Sequence, residues 1–286
     1  MSPRERRIER DGARLRLVEA GEGAAVLFQH GLGGDAAQAE GNFPDAAGWH
    51  RLTLECRAQG QSEPGATRPF GIAMFADDCL SAIEATTEAA GARSFVAGGV
   101  SMGAAIALRL AVTRSDLVRA LVLVRPAWIA EPAPVNMRPY AVAAGAMRAH
   151  PGDRDAARAA FAASPEARRL AEVSPDNLAS LAGFFDRPDL ASTADLLDGV
   201  AADGPGVTRA EIAALRLPVL VVGNGEDDVH PLDLARELSG LVPGAAFVEV
   251  PPKAADKGVH QAAVRRAIAD FLAALPPSSS FEGSPR

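Results

Sequence analysis

One pentapeptide constrains this chain more than any other stretch: Gly99-Val100-Ser101-Met102-Gly103. The apolar run Ser94-Phe95-Val96-Ala97 leads into it, and an alanine- and leucine-rich run, Ala104 to Ala111, leads out. The pattern predicts a strand, a tight turn with Ser101 at its tip, and a helix. Glycines on both sides let strand and helix approach without Cβ clashes. So tight a turn strains the backbone at Ser101, lifts its hydroxyl to the end of the sheet and aims the Met102 N–H into the same space.

The 286 residues suit one large α/β domain or a core with an insertion, and the 48% apolar content is enough for a substantial core. A net charge of −7 argues against a nucleic-acid partner, which would call for a basic face. Met1 to Asp11 is charged and lacks the apolar segment of a secretory signal, and no apolar run approaches a membrane span. Cys56 and Cys79 form neither a disulfide framework nor a metal pattern. The expectation is a cytoplasmic protein with two buried thiols, no membrane partner and a small-molecule substrate.

Along the chain, Ile8 to Arg10 and Arg14 to Val18 read as a hairpin about Asp11-Gly12. Buried strands follow at Ala24 to Gln29, Arg51 to Cys56, before Ser101, and at Val118 to Val124. Ala73 to Ala90 has helical spacing. From Ala127 to about Gly206 the pattern is helical only, with Ser164-Pro165 and Ser174-Pro175 as helix starts. Thr208-Arg209-Ala210-Glu211 is a capping box. Leu217 to Gly223 is a strand again, Pro231 to Leu241 a helix, Ala245 to Val250 a strand and Gln261 to Leu275 an amphipathic helix. The organisation read from this is a core in two parts, 1–126 and 207–275, a helical cap at 127–206, and a disordered tail at 276–286. Strands alternating with helices imply a mostly parallel sheet flanked by helices, with the cap inserted after the strand ending near Arg125.

A serine needs a base, and the base an orienting acid. Where a serine stands on such an elbow, the acid and then the histidine follow it in the chain. Of five histidines, only His260 follows the last predicted strand, where a loop would return it to Ser101. The acid is sought just past Gly223, where Glu226, Asp227 and Asp228 stand. Asp227, four residues before Pro231, is preferred to Asp228. Met102 N–H and Leu32 N–H, the latter from the turn His30-Gly31-Leu32-Gly33-Gly34, are the candidate oxyanion donors, with His30 packing beneath that turn. Trp128, Met147, Phe184 and Phe185 are candidate pocket residues, and Arg125, Asn136 and Arg138 candidates for a substrate carboxylate.

With these residues in place, the chain resembles the α/β-hydrolase superfamily, in its capped, cofactor-free serine esterase and lactonase form, similar to enol-lactone hydrolases and serine perhydrolases. The resemblance rests on His30-Gly31-Leu32-Gly33, Arg57-x-x-Gly60-x-Ser62, Gly99-x-Ser101-x-Gly103, Asp227 before Pro231, and His260, and covers nearly the whole chain. Glu55 and Ala58 stand where that family commonly has Asp and Gly. The resemblance implies acyl transfer through Ser101, without cofactor or metal, on an ester or lactone; C–C bond hydrolysis and peracid formation use the same parts. Two other readings compete. Gly31-Leu32-Gly33-Gly34-Asp35-Ala36 also matches a dinucleotide-binding turn, which leaves Ser101, Asp227 and His260 unexplained. A catalytically silent ligand-binding member of the fold is the other.

Overall fold

The computed structural model describes residues 3–45, 47–89 and 94–276, so all of the expected tail except Pro276 lies outside the described residues. The strands are β1 (Arg4–Arg10), β2 (Ala13–Gly21), β3 (Ala24–Gln29), β4 (Trp49–Leu54), β5 (Phe95–Val100), β6 (Val118–Val124), β7 (Val219–Gly223) and β8 (Ala246–Glu249). They form one sheet in the order β1-β2-β4-β3-β5-β6-β7-β8. The β1/β2 and β2/β4 pairs are antiparallel and the rest parallel. The opening hairpin pairs Arg10 with Ala13, and Asp11 and Gly12 both take positive φ, as a two-residue turn requires. Every residue of β5, β6 and β7 is buried, the condition that makes parallel strands read as unbroken apolar runs.

The helices are α1 (Ala36–Asn42), α2 (Ile72–Ala89), α3 (Met102–Thr113), α4 (Arg138–Ala149), α5 (Arg154–Ala162), α6 (Pro165–Val173), α7 (Pro175–Ala182), α8 (Leu190–Ala202), α9 (Arg209–Ala213), α10 (Leu232–Leu241) and α11 (Lys257–Ala274). One apolar cluster joins α1 and α11 to the sheet through Ala39, Phe43, Val264, Ile268 and Leu272. A second, larger cluster joins α2, α3 and α10 to the sheet and continues into α4 to α8. Residues 127–206 contain no strand. Ser164 caps α6 by accepting from Ala167 N–H. Ser174 precedes the Pro175 start of α7 without capping it; its hydroxyl donates to Asn177 Oδ1 at 2.9 Å instead. The capping box at Thr208 and Glu211 forms in full. Among the described residues no helix is long and apolar enough to cross a membrane.

The turn at Ser101 is as tight as its glycines imply. A Cβ on Gly99 would lie 2.5 Å from the Gly103 carbonyl carbon, and one on Gly103 would lie 2.4 Å from Gln29 O. Neither contact can relax, because both partners are backbone. Gly103→Ala is therefore expected to cost about 3 kcal/mol of stability, within the range of steric core lesions. Urea denaturation against wild type reads this directly.

Candidate active site

Ser101 sits between β5 and α3 with φ 54° and ψ −111°, a strained conformation for a residue with a Cβ. Its N–H is tied to Val124 O at 2.9 Å. Its hydroxyl donates to Nε2 of His230 at 2.8 Å. The other ring nitrogen, Nδ1–H, donates to Asp227 Oδ1 at 2.9 Å, and the His230 backbone N–H reaches the same oxygen at 3.0 Å. Asp227 and His230 are three residues apart in the loop between β7 and α10. One turn of that loop thus carries both acid and imidazole to the serine.

This corrects the expectation for His260. Helix α11 begins at Lys257, a turn earlier than expected, because Asp256 caps it by accepting from Gly258 and Val259 N–H. His260 therefore lies in a helix and not in a loop free to fold back. Its Nδ1 bonds Pro251 O at 2.9 Å, and Ser101 meets His230 instead. The signal in the sequence is the Asp227-x-x-His230 spacing, which lets two side chains of one turn face each other, although His230 precedes the last strand. Of the rival carboxylates, Asp228 is held by Nη1 and Nη2 of Arg169 on α6, at 2.6 and 2.7 Å, while the imidazole bonds Asp227.

Arg125 closes β6 with a positive φ and donates its Nε–H to Asp227 Oδ2 at 3.0 Å, with Nη2 on the same oxygen. Nη2 also stands 3.1 Å from His230 Nδ1. Burial alone would raise the Asp227 carboxyl; the His230 and Arg125 partners outweigh it and hold the group far below the usual carboxylate range. Burial lowers the His230 pKa from its ordinary 6.5, Asp227 opposes this, and the Arg125 charge reinforces it. A base must be neutral to accept a proton. The acid limb of kcat/KM is thus expected below pH 6.5. Arg125→Met removes one of the causes and is expected to move that limb to higher pH. An unmoved limb would mean the guanidinium charge does not reach the imidazole.

The glycine turn after β3 faces the same space. Gly31 N–H is taken by Gln38 Oε1 at 2.6 Å, Gly33 N–H by Gln59 Oε1 at 2.7 Å and Gly34 N–H by Gly31 O at 2.9 Å. Leu32 N–H takes part in none of these bonds. His30 lies beneath, donating from Nδ1 to Gly31 O and accepting the Cys56 N–H at Nε2. The loop that supplies Gln59 is itself braced by the buried Glu55, which accepts from Ala36 and Gln61 N–H and from Arg16. Arg57 is clamped on Asp78 at 2.7 and 2.9 Å. Ala58 takes φ 59°, a left-handed conformation that glycine adopts without penalty.

A cavity of about 370 Å³ opens over Ser101, lined by the glycine turn, His230 and Arg125 and roofed by Tyr140, Ser180 and Phe184 of the helical block. Of the four expected pocket residues only Phe184 lines it. Trp128 is buried and donates its ring N–H to Asp203 O, Phe185 packs on Phe161 with ring centres 5.5 Å apart, and Met147 is core. Their apolar surface is buried in the larger core cluster. The three expected carboxylate binders are also engaged. Arg125 holds Asp227, Asn136 donates to Ala127 O and Val229 O, and Arg138 pairs with Glu166. Arg187 also lines the cavity and is likewise engaged, its Nε–H donating to Thr193 Oγ1 at 3.2 Å and Nη2 to Ala58 O. Among the described residues no group of three or more His, Cys, Asp or Glu is gathered as a metal site.

A sheet of this order, a strained serine between β5 and α3, and a helical block over the strand ends define the hydrolase class. The chain belongs to the alpha/beta hydrolase fold family, whose model matches residues 24–261, and it is an enzyme of that family. It is 27% identical over 210 residues to a protein of Klebsiella pneumoniae (strain 342) named as a carbamate hydrolase, RutD, a match spanning 72% of this chain and 74% of that one. Est816, described as an N-acyl homoserine lactone degrading enzyme, superposes with a TM-score of 0.64 at 22% identity over 95% of this chain and 100% of its own. The enol-lactonase of Burkholderia xenovorans LB400 gives 0.63 at 22% identity over 94% and 100%. At such identities these likenesses show the fold.

Proposed function

We propose that the chain is a serine hydrolase that cleaves an ester or lactone of a small to medium, partly apolar molecule through an acyl-enzyme. The observation that carries this is the unbroken hydrogen-bond chain from Ser101 through His230 to Asp227. His230 Nε2 takes the Ser101 proton as Oγ attacks the carbonyl carbon. Asp227 keeps the proton of the ring on Nδ1 and stabilises the imidazolium that forms. The Leu32 and Met102 N–H groups receive the oxyanion, each worth about 3 kcal/mol in such sites. His230 returns its proton to the leaving alkoxide, then takes one from the water that attacks the acyl carbon and passes it to Ser101 Oγ as the acyl–oxygen bond breaks and the acid leaves. A cavity of about 370 Å³ holds a compact substrate and not a polymer. The lactone-directed names of the two structural neighbours support this class, and the free buried thiols Cys56 and Cys79 fit a reducing cytoplasm.

The test is covalent labelling with a fluorophosphonate, read by intact mass. One adduct on wild type and none on Ser101→Ala is the expected result. An unlabelled, folded wild-type protein that also turns over no ester or lactone of a broad panel would overturn the reading.

A further inference from the structure

Three cationic side chains line the cavity over Ser101, Arg125, Arg187 and Lys253, and no Asp or Glu lines it. Two of the three are neutralised from behind. Arg125 is paired with Asp227, and Lys253 with Asp176 at 2.7 Å. Arg187 is the exception. Among the described residues it forms no ion pair, and its two hydrogen-bond partners, Thr193 Oγ1 and Ala58 O, are neutral. The Thr193 hydroxyl gives its own proton to Asp189 O, which leaves its lone pairs for the guanidinium. The acid whose charge reaches Arg187 is Asp189, and that carboxylate caps α8 at Ser192 N–H. Burial works against the Arg187 charge more strongly than Asp189 supports it. The guanidinium nevertheless stays charged at any working pH. A half-buried cation without a counter-charge is uncommon, because desolvation disfavours it.

Its geometry is fixed in advance. The guanidinium is planar, so the bonds made by Nε and Nη2 also set the place and direction of Nη1. Nη1 has no partner among the described residues and is not shut off from solvent. Asn177 lines the same cavity. Its Oδ1 is taken up by Ser174 Oγ and by Val229 N–H, at 2.9 and 3.0 Å, so what its amide can offer a ligand is N–H. The helical block thus brings one uncompensated positive charge and further donors to the cavity of the serine, with no acid among them.

We propose that Arg187 binds a carboxylate on the part of the substrate remote from the scissile bond. This rests on the hydrolase reading above and narrows its substrate class to esters or lactones that carry a second, ionised acid group. The residue touches no reacting atom; it sets specificity.

The experiment compares matched substrates that differ only by carboxylate against carboxamide, two groups of nearly equal shape. On the acyl side these are the mono-4-nitrophenyl ester of adipic acid and its terminal carboxamide. On the alcohol side they are 4-acetoxybutanoate and 4-acetoxybutanamide. For wild type, kcat/KM is expected to favour the carboxylate about tenfold in at least one pair, the worth of a hydrogen bond between charged groups. The preference is expected to vanish in Arg187→Gln and to persist in Arg187→Lys, which keeps the charge, with circular dichroism verifying that both variants fold. Equal rates within both pairs for wild type would overturn the proposal. So would equal slowing of both members in Arg187→Gln with their ratio kept, since Arg187 would then only clamp the helical block to the Ala58 loop. A preference that survives in Arg187→Gln and is lost in Lys253→Met would move the anion site to Lys253. Fluorophosphonate labelling separates these failures from that of the hydrolase reading. An adduct on wild type without a carboxylate preference leaves the serine reading standing and removes only the anion site; no adduct and no turnover of either pair overturns both.

Discussion

His230→Ala is expected to lower kcat by roughly 10⁶-fold, as much as Ser101→Ala, because nucleophile and base act as a unit and losing either loses the step. The expectation is specific to His230 because its Nε2 receives the serine hydroxyl at 2.8 Å while Asp227 and Arg125 hold the ring from the other side. Steady-state kinetics on one neutral aryl ester, with circular dichroism to verify folding, decides it. If His230→Ala retained more than about a hundredth of wild-type kcat, another group would be taking the proton. The double variant Ser101→Ala/His230→Ala should be no slower than either single one, since the residual rate then comes from binding and the oxyanion donors.

Asp227→Asn is expected to cost about 10⁴-fold in kcat. Asparagine at 227 can present an N–H to Nδ1, which would place the ring proton on Nε2, where it cannot receive the serine proton. The loss would then be one of tautomer and not of structure. The surroundings add to it, since Arg125 would keep its charge beside a site that no longer carries one. Asp228→Asn removes only the exposed pair with Arg169 and should change kcat no more than a few-fold. Reversed outcomes for the two aspartates would reassign the acid.

Much of the fold was legible because it rests on local chemistry. The strand Val118–Val124 and the strand Ala24–Gln29 were read to the residue, since each is an apolar run closed by turn residues. The serine elbow was equally plain, since strand, glycines and helix lie next to one another in the chain. Asp227 was reached by its distance from Pro231. The cavity walls were not legible in the same way. Trp128, Met147 and Phe185 are as apolar as Phe184, and composition does not tell a residue facing a cavity from one packed beneath it. Nor does Glu55 announce that it will be buried among Ala36 N–H, Gln61 N–H and Arg16, holding the loop that in turn holds the glycine turn.

The histidines mark where sequence stops and tertiary structure begins. The chain alone determined that a serine would stand strained at the end of a central strand and that a carboxylate would follow β7. Each of these follows from neighbours in sequence: glycine spacing, apolar periodicity, a proline or a capping residue. Which of five imidazoles reaches the serine is set by contacts between residues far apart, Ser101 with His230 and Arg125 with Asp227. Asp256 starts α11 early enough to hold His260 against Pro251, away from the serine. Local propensity places elements; only their packing decides which side chains meet.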